Sequence, residues 1–465
     1  MKKNILLPLV VLIVLLCLAG AAYAQDDPYV VGIDQACAGN LTDAKATFEK
    51  GAAAYPDDKI FNIYIGILND VEKGAVKKEA AVHFFTGAKY YDMKDLAKAQ
   101  PELEKAISLS PNIAEAYFTL GLTYGKTSQY DKALECFKKF TAMAPNDADG
   151  FVNLGLAYKK KNMPDKAIAA YKKALELSPK DVDARIKLGI VYDMAGKVDE
   201  AIAEYKKAIS LSPNDGDAHY YLARSYHKKK LYDSALGEYK KAIEINPKDS
   251  DAHYFMAVIY ETQELWDKAE ESYKKVLEID PKDADARYYL GYAYEMKKMP
   301  DEALKEYLQV VQDDPKFKQA YLNMGNIYAD KGNVDESISA YKKAIEIDPK
   351  YTKAHYNLAI SYEDKKMPDE AIISYKKAIE VDPKYINAYF NLGLLYINMN
   401  KANEAVETYL KLVALDPKNG SAYNNLSIAY YMKGDYKLAV KYCDEAIKLG
   451  YKVKPETLEK LKPYR

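Results

Sequence analysis

Apolar residues recur at three- and four-residue intervals through most of this chain, in blocks that start over every 34 positions. The block 148–181, ADGFVNLGLAYKKKNMPDKAIAAYKKALELSPKD, shows the pattern. Phe151, Leu154, Gly155 and Tyr158 fall at i, i+3, i+4 and i+7, one face of a helix. The polar run KKKNMP breaks the stripe, and Ala167, Ile168, Tyr171, Ala174 and Leu175 form a second. Pro164 predicts the start of the second helix, where a missing N–H costs nothing. Asp165 suits the positive end of that helix dipole, and Lys172 and Lys173 lie nearer the negative end. Pro179 lacks a donor and biases Ser178 away from α geometry, so the helix should stop there. Small residues at 155, 167 and 174 let the helices approach, and Tyr158 and Tyr171 fill the space between them. A hairpin that is apolar on both helices must stack on neighbours to bury itself.

The neighbours are present. Prolines stand at 111, 145, 179, 213, 247, 281, 315, 349, 383 and 417, and the units they close, with one more after them, begin at 80, 114, 148, 182, 216, 250, 284, 318, 352, 386 and 420. All eleven carry the tyrosine equivalent to Tyr158, from Tyr90 to Tyr430. The Gly155 site is glycine in seven units, alanine in three and Ser427 in the last. The Ala167 site is alanine in ten and Ser337 in one.

These residues resemble the tetratricopeptide repeat family, whose pattern runs aromatic, x2, Leu-Gly, x2, Tyr, then Ala, x3, aromatic, then Pro. The resemblance covers residues 80–453. It implies an all-α fold, a right-handed superhelical solenoid of helix-turn-helix repeats, with a concave groove lined mainly by the first helix of each pair. It also implies that the second, fifth, sixth, ninth, twelfth and thirteenth residues of each unit point into that groove.

At both ends the register changes. Residues 1–24 have a basic start, an apolar run and Ala22-Tyr23-Ala24, the layout of a cleaved signal peptide. The alternative is an uncleaved anchor in the inner membrane. Either way the repeats are expected in the periplasm or outside a bacterial cell. Cys17 follows Leu16, which fits lipoprotein processing poorly. Residues 25–79 are expected to be a degenerate N-terminal repeat or cap: 43–56 reads as a second helix with Ala44, Phe48, Gly51 and Pro56 in place, and KIFNIYIGILND as a first helix before a polar insertion. In the last unit Cys443 replaces the second aromatic and Tyr451 the proline, and residues 454–465 are expected to form a capping helix with Pro455 near its start. Gly196, Gly332 and Gly434 stand where a helix end needs a left-handed residue. Pro164, Pro300 and Pro368 instead open second helices, and Trp266, at the same site, is expected to plug a gap between helices.

Charge and chemistry narrow the class. The 67 basic and 68 acidic residues nearly balance, so no positive field points to nucleic acid. No HExxH, GxSxG, phosphate-binding loop or dinucleotide glycine pattern occurs, and no stretch is left for a catalytic domain. The expectation is a non-enzyme without cofactor. Cys37, Cys136 and Cys443 are far apart and lack CxxC spacing, so buried free thiols are expected. His83, His219, His253 and His355 all occupy the Phe151 site. There they read as flat rings in place of an aromatic rather than as metal ligands.

The expected groove falls into zones. The second residue is acidic in six successive units: Glu115, Asp149, Asp183, Asp217, Asp251 and Asp285. That column also suits helix N-termini. The fifth and sixth residues are aromatic in three units: Tyr220, Tyr221, Tyr254, Phe255, Tyr288 and Tyr289. The sixth residue is asparagine in the last four: Asn323, Asn357, Asn391 and Asn425. That row resembles the ladder in the repeat region of O-linked N-acetylglucosamine transferases, where side-chain amides hold the backbone of an extended peptide. An amide both donates and accepts, so it pairs with any peptide group. The chain is therefore expected to be an exported scaffold that binds a protein or peptide partner, as an extended segment or a helix. The alternative is a carbohydrate-handling accessory of polysaccharide export or cell-wall assembly that uses the aromatic zone. A membrane enters only if the leader stays uncleaved.

Overall fold

The computed structural model describes residues 27–465. The expected leader, residues 1–24, and Cys17 lie outside the described residues. Those described form 26 α-helices and a short terminal 3-10 turn, with no strand among them. None of these helices is long and apolar enough to cross a membrane.

From residue 78 the helices come in pairs. First helices start at 78, 114, 148, 182, 216, 250, 284, 318, 352, 386 and 420; second helices start at 96, 130, 164 and so on to 436. All but the first coincide with the unit boundaries read from the prolines. Within a unit the two helices pack on each other, and second helices on either side of residue 247 pack on the first helix of the next unit, as 164–177 does on 182–194 and 300–313 on 318–330. The chain divides into two compact units, one ending at Pro247 and one running Lys248–Arg465.

The hairpin turn is more uniform than its sequence. Position 15 of every unit has a positive φ: Gly196, Gly332 and Gly434, but also Lys94, Ser128, Asn162, Lys230, Glu264, Lys298, Lys366 and Asn400, between 55° and 61°. The residue after it donates its N–H to the carbonyl of the position-11 tyrosine, as in Met163 to Tyr158 (3.0 Å), Leu231 to Tyr226 (2.9 Å) and Lys366's successor Met367 to Tyr362 (2.8 Å). This closes the last carbonyls of the first helix. The three glycines and the three Pro-opened helices are therefore not alternative turns. The same turn serves all units, and prolines 164, 300 and 368 follow it by two residues.

Aspartate caps explain many of the first-helix starts. Asp147, Asp181, Asp215, Asp249 and Asp283 each accept from the backbone N–H three residues on, at 2.8–3.0 Å. The acidic residues of the expected groove column lie two positions after these caps, in the first turn. In three later units the capping position is aromatic instead: Phe317, Tyr351 and Tyr385.

The N-terminal region keeps the register further than expected. Gly32, Gly39, Ala44, Phe48 and Pro56 hold the places of Gly155, Asn162, Ala167, Tyr171 and Pro179. Pro28–Cys37 and Leu41–Ala54 form a helix pair, with Gly39 at φ 80° in the turn. The interval up to the unit at 80 holds one extra helix, Lys59–Glu72. Tyr29, Phe48, Phe61, Tyr64, Phe84 and Phe85 pack these helices together, with Tyr64 5.3 Å from Phe48 and 5.2 Å from Phe85. At the other end Pro455–Leu461 buries Leu461 against the last pair. Cys37 is half-buried, Cys136 and Cys443 are buried, and all three are free.

Candidate partner-binding face

Eight of the eleven units are built around a tyrosine at position 24; Leu103, Phe137 and Cys443 take its place in the other three. Tyr171, Tyr205, Tyr239, Tyr273, Tyr307, Tyr341, Tyr375 and Tyr409 are at most 2 % exposed. Where position 8 is glycine, the ring lies against its backbone: a Cβ at Gly189 would stand 2.4 Å from Tyr205, and one at Gly325 2.4 Å from Tyr341. Only a residue without a side chain permits that approach. The hydroxyl ends among the residues at positions 5, 6, 9 and 12 of the first helices, which the repeat pattern assigns to a groove, and those residues differ from unit to unit. A buried hydroxyl needs a partner, and the face is organised by who supplies it.

One supplier is a carboxylate at position 12 of the same unit. Tyr205 donates to Asp193 (3.3 Å), Tyr273 to Glu261 (2.9 Å) and Tyr375 to Glu363. The other is the asparagine at position 6 of the next unit. Asn323 Nδ2 donates to Tyr307 (3.0 Å) and Tyr288 (3.3 Å), Asn391 Nδ2 to Tyr356 (3.0 Å) and Tyr375 (3.4 Å), and Asn425 Nδ2 to Tyr409 (2.9 Å). Asn357 Nδ2 donates to Asn326 (2.8 Å), which in turn accepts from Tyr341 (2.8 Å). The asparagine row thus has an internal task. Asn323 and Asn391 spend both amide hydrogens on tyrosines, which leaves Oδ1 as the group open to a peptide N–H. A ladder in which these amides also donate to a bound peptide is closed in this conformation.

The aromatic zone is similarly engaged. In the first compact unit Tyr221 stacks on Tyr205 (5.9 Å, 17°), and Tyr220 meets Tyr221 edge-on and Tyr239 at a tilt. In the second, Tyr289 stacks on Tyr273 (5.9 Å, 15°), Tyr254 packs on Tyr273 and Phe255, and Tyr288 on Tyr307 and the capping Phe317. Each position-24 ring in this stretch is held by the fifth residue of its own unit and, within each compact unit, by the sixth of the next. Tyr220 is buried and the other five of the zone are half-buried. Burial pushes the Tyr288 hydroxyl up to about 12.

Two sets of residues had not been singled out. The position-12 carboxylates Glu261, Glu295 and Glu363 lie beside these tyrosines, and burial pushes all three up from the usual carboxylate range, against the hydrogen bonds of Tyr273 to Glu261 and Tyr375 to Glu363, which lower those two. The second set lies on the other side of the first helix. The position-4 histidines are not mere flat rings. His219 joins Glu238 (2.5 Å) and the Pro213 carbonyl (3.0 Å), His83 joins Glu102 (2.6 Å), and His355 the Pro349 carbonyl (3.0 Å). Arg185 and Arg287 do the same with Glu204 and Glu306 (3.0 Å each) and the carbonyls of Pro179 and Pro281 (2.7 Å each). Arg185, His219, Arg287 and His355 thereby clamp one repeat to the proline turn of the repeat before it, whereas the His83 bond ties together the two helices of its own repeat. The signal was in the sequence: glutamate stands at position 23 in the units at 80, 182, 216 and 284, where position 4 is His or Arg. Trp266 is half-buried against Tyr292 (5.9 Å), between helices as expected.

Sequence models described as tetratricopeptide repeat match residues 90–113, 102–135, 148–181, 170–203, 194–259, 228–285, 260–324, 352–385 and 390–450, and one described as TPR repeat matches 325–366. From 90 to 450 only 136–147 and 386–389 are left unmatched. The chain belongs to the tetratricopeptide repeat family. Two of the matched TPR segments, 148–181 and 352–385, have the unit boundaries given by the prolines. Among solved structures it is similar to YrrB, described as a TPR protein with an unusual peptide-binding site (26 % identity, 40 % of this chain, 95 % of that one, TM-score 0.36). It is also similar to MamA (31 % identity, 36 % and 92 %, TM-score 0.34) and to yeast Tom70 (17 %, 83 % and 94 %, TM-score 0.35). No curated protein matches the chain.

Proposed function

We propose that this TPR chain is an exported, non-catalytic scaffold that holds an extended peptide or a partner's helix against the inner face of its first helices. The observation that carries the reading is the contrast between the two sides of those helices. Their outer side is clamped to second helices and proline turns. Their inner side carries half-buried tyrosine, asparagine and carboxylate groups, with no helix laid over it within either compact unit. Half-buried amphipathic rings beside hydrogen-bonding groups are the composition of binding surfaces. Apolar side chains of the partner would sit among Tyr254, Phe255, Tyr288 and Tyr289 in the second compact unit, and Tyr220 and Tyr221 would offer the same kind of surface in the first. Asn323 and Asn391 would contribute as acceptors through Oδ1. Export rests on the leader read in residues 1–24.

The carbohydrate alternative draws less support, because Tyr221 and Tyr289 each already have one ring face stacked on a neighbouring tyrosine. The test is photo-crosslinking from positions 254, 289 and 391 on the inner face and 267, 301 and 335 on the outer, in the native envelope. Proteins captured from the inner set alone support the reading. Equal capture from both sets, or capture from the outer set alone, overturns it.

A further inference from the structure

On the inner face, position 12 of one repeat lies beside positions 10 and 13 of the next. The first compact unit shows how a carboxylate there is satisfied. Asp193 accepts from Tyr205 (3.3 Å), from Ser225 at position 10 (2.7 Å) and from the Lys228 ammonium at position 13 (3.1 Å). The second compact unit repeats the carboxylate and the tyrosine but omits the other two partners. Glu261 faces a repeat with Ala293 and Met296 at those positions, Glu295 one with Ile327 and Asp330, and Glu363 one with Leu395 and Asn398. None of the three glutamates is in an ion pair among the described residues, although lysines of the same unit pair with acids along its outer side, as in Lys297 with Asp267 and Lys365 with Asp335 (2.6 Å each). Glu295 Oε1 is buried with no hydrogen-bond partner at all. A buried acceptor left open costs free energy until a donor arrives.

We infer that the inner face of the second compact unit takes a basic segment of a partner protein, whose lysine or arginine side chains do at Glu261, Glu295 and Glu363 what Lys228 does at Asp193. This rests on the partner-binding reading above and specifies the partner's chemistry. Charge complementarity is aided by the rings. Tyr254, Tyr289 and Tyr292 stand within electrostatic reach of Glu261, and a cation beside a tyrosine face gains further attraction when desolvated. The neighbouring Asp285 and Asp330 add negative charge and no cation. Burial holds the three glutamates above the usual carboxylate range, so a bound cation favours their ionised form and binding releases protons.

The experiment uses the full mature chain and a labelled, unstructured peptide of lysine, leucine and glycine, measured by fluorescence anisotropy at low salt. Its glutamate counterpart and an amino-sugar oligomer with free amines serve as comparison probes. Expected results are binding of the lysine peptide, at least tenfold weakening in the Glu261→Gln, Glu295→Gln, Glu363→Gln triple variant, and no weakening when Asp267, Asp301 and Asp335 on the outer side become Asn. Affinity should also fall as pH is lowered toward 5. Circular dichroism checks that the triple variant stays helical, and each single variant is measured if it does not. Equal binding by the triple variant, or equal loss in the outer-face control, overturns the inference. Preference for the amino-sugar oligomer overturns the protein source. Saturable binding of the glutamate peptide alone, crosslinked to position 289, overturns the charge assignment and leaves the scaffold reading standing. Failure of every peptide together with failed inner-face crosslinking in the envelope removes both.

Discussion

Asp193 and Glu295 stand at the same position of two repeats, each next to the hydroxyl of a buried tyrosine, in different electrostatic company. Asp193 has a serine and a lysine from the following repeat. Glu295 has Asp330 and an oxygen with no donor. The repeat decides where a side chain stands. The adjacent repeat decides what it experiences. In a stack where each unit touches only its neighbours, function is written in the pairing of successive units rather than in any unit alone.

The comparison can be broken most forcefully at what the two sites share. Tyr205→Ala and Tyr307→Ala each empty the space beneath a glycine, and each should cost about 3–5 kcal/mol in urea unfolding. Unequal losses would mean that the two repeats are not built alike. Next come the clamps. Arg287→Met strands Glu306 and the Pro281 carbonyl and should cost about 1–3 kcal/mol, read as faster hydrogen exchange in the helices 266–279 and 284–296.

Smaller changes separate the sites. Tyr205→Phe removes the hydrogen bond to Asp193 and should cost about 1 kcal/mol, whereas Tyr171→Phe should be neutral or stabilising, because the Tyr171 hydroxyl is buried without a partner. Glu295→Gln should raise the unfolding midpoint at pH 7. The sign follows from the direction of the shift. A carboxyl raised in the fold contributes stability below its unfolded pKa and loses it as pH rises through the folded one. The gain in the Gln variant should therefore vanish near pH 4. An unchanged gain at pH 4 would assign it to packing. Last, Glu264→Gly and Lys298→Gly relieve left-handed strain at position 15 and should stabilise by up to about 1 kcal/mol, while Gly196→Ala should cost about 1 kcal/mol.

Much of the architecture was legible beforehand. The 34-residue period, the proline stops and the tyrosine at position 11 placed the helix starts of the regular array. The turn was legible too, had Asn162 and Asn400 been read alongside Gly196 and Gly332 as residues that tolerate positive φ. The helix Pro28–Cys37 escaped because the insertion 59–79 hides the register that Gly32 and Gly39 keep. The asparagine row was visible as a row, but its task was not. Nothing in the spacing says that the Nδ2 of Asn391 reaches back 16 residues to Tyr375 and 35 to Tyr356.

The sequence by itself determined the repeat, because periodic burial needs only the local alternation of apolar and polar residues and a proline or left-handed residue at each turn. Only the tertiary structure decided which polar groups are spent inside the stack and which remain open. That outcome depends on side chains of adjacent repeats meeting in space, where a lysine or a methionine at one position leaves the facing carboxylate satisfied or alone.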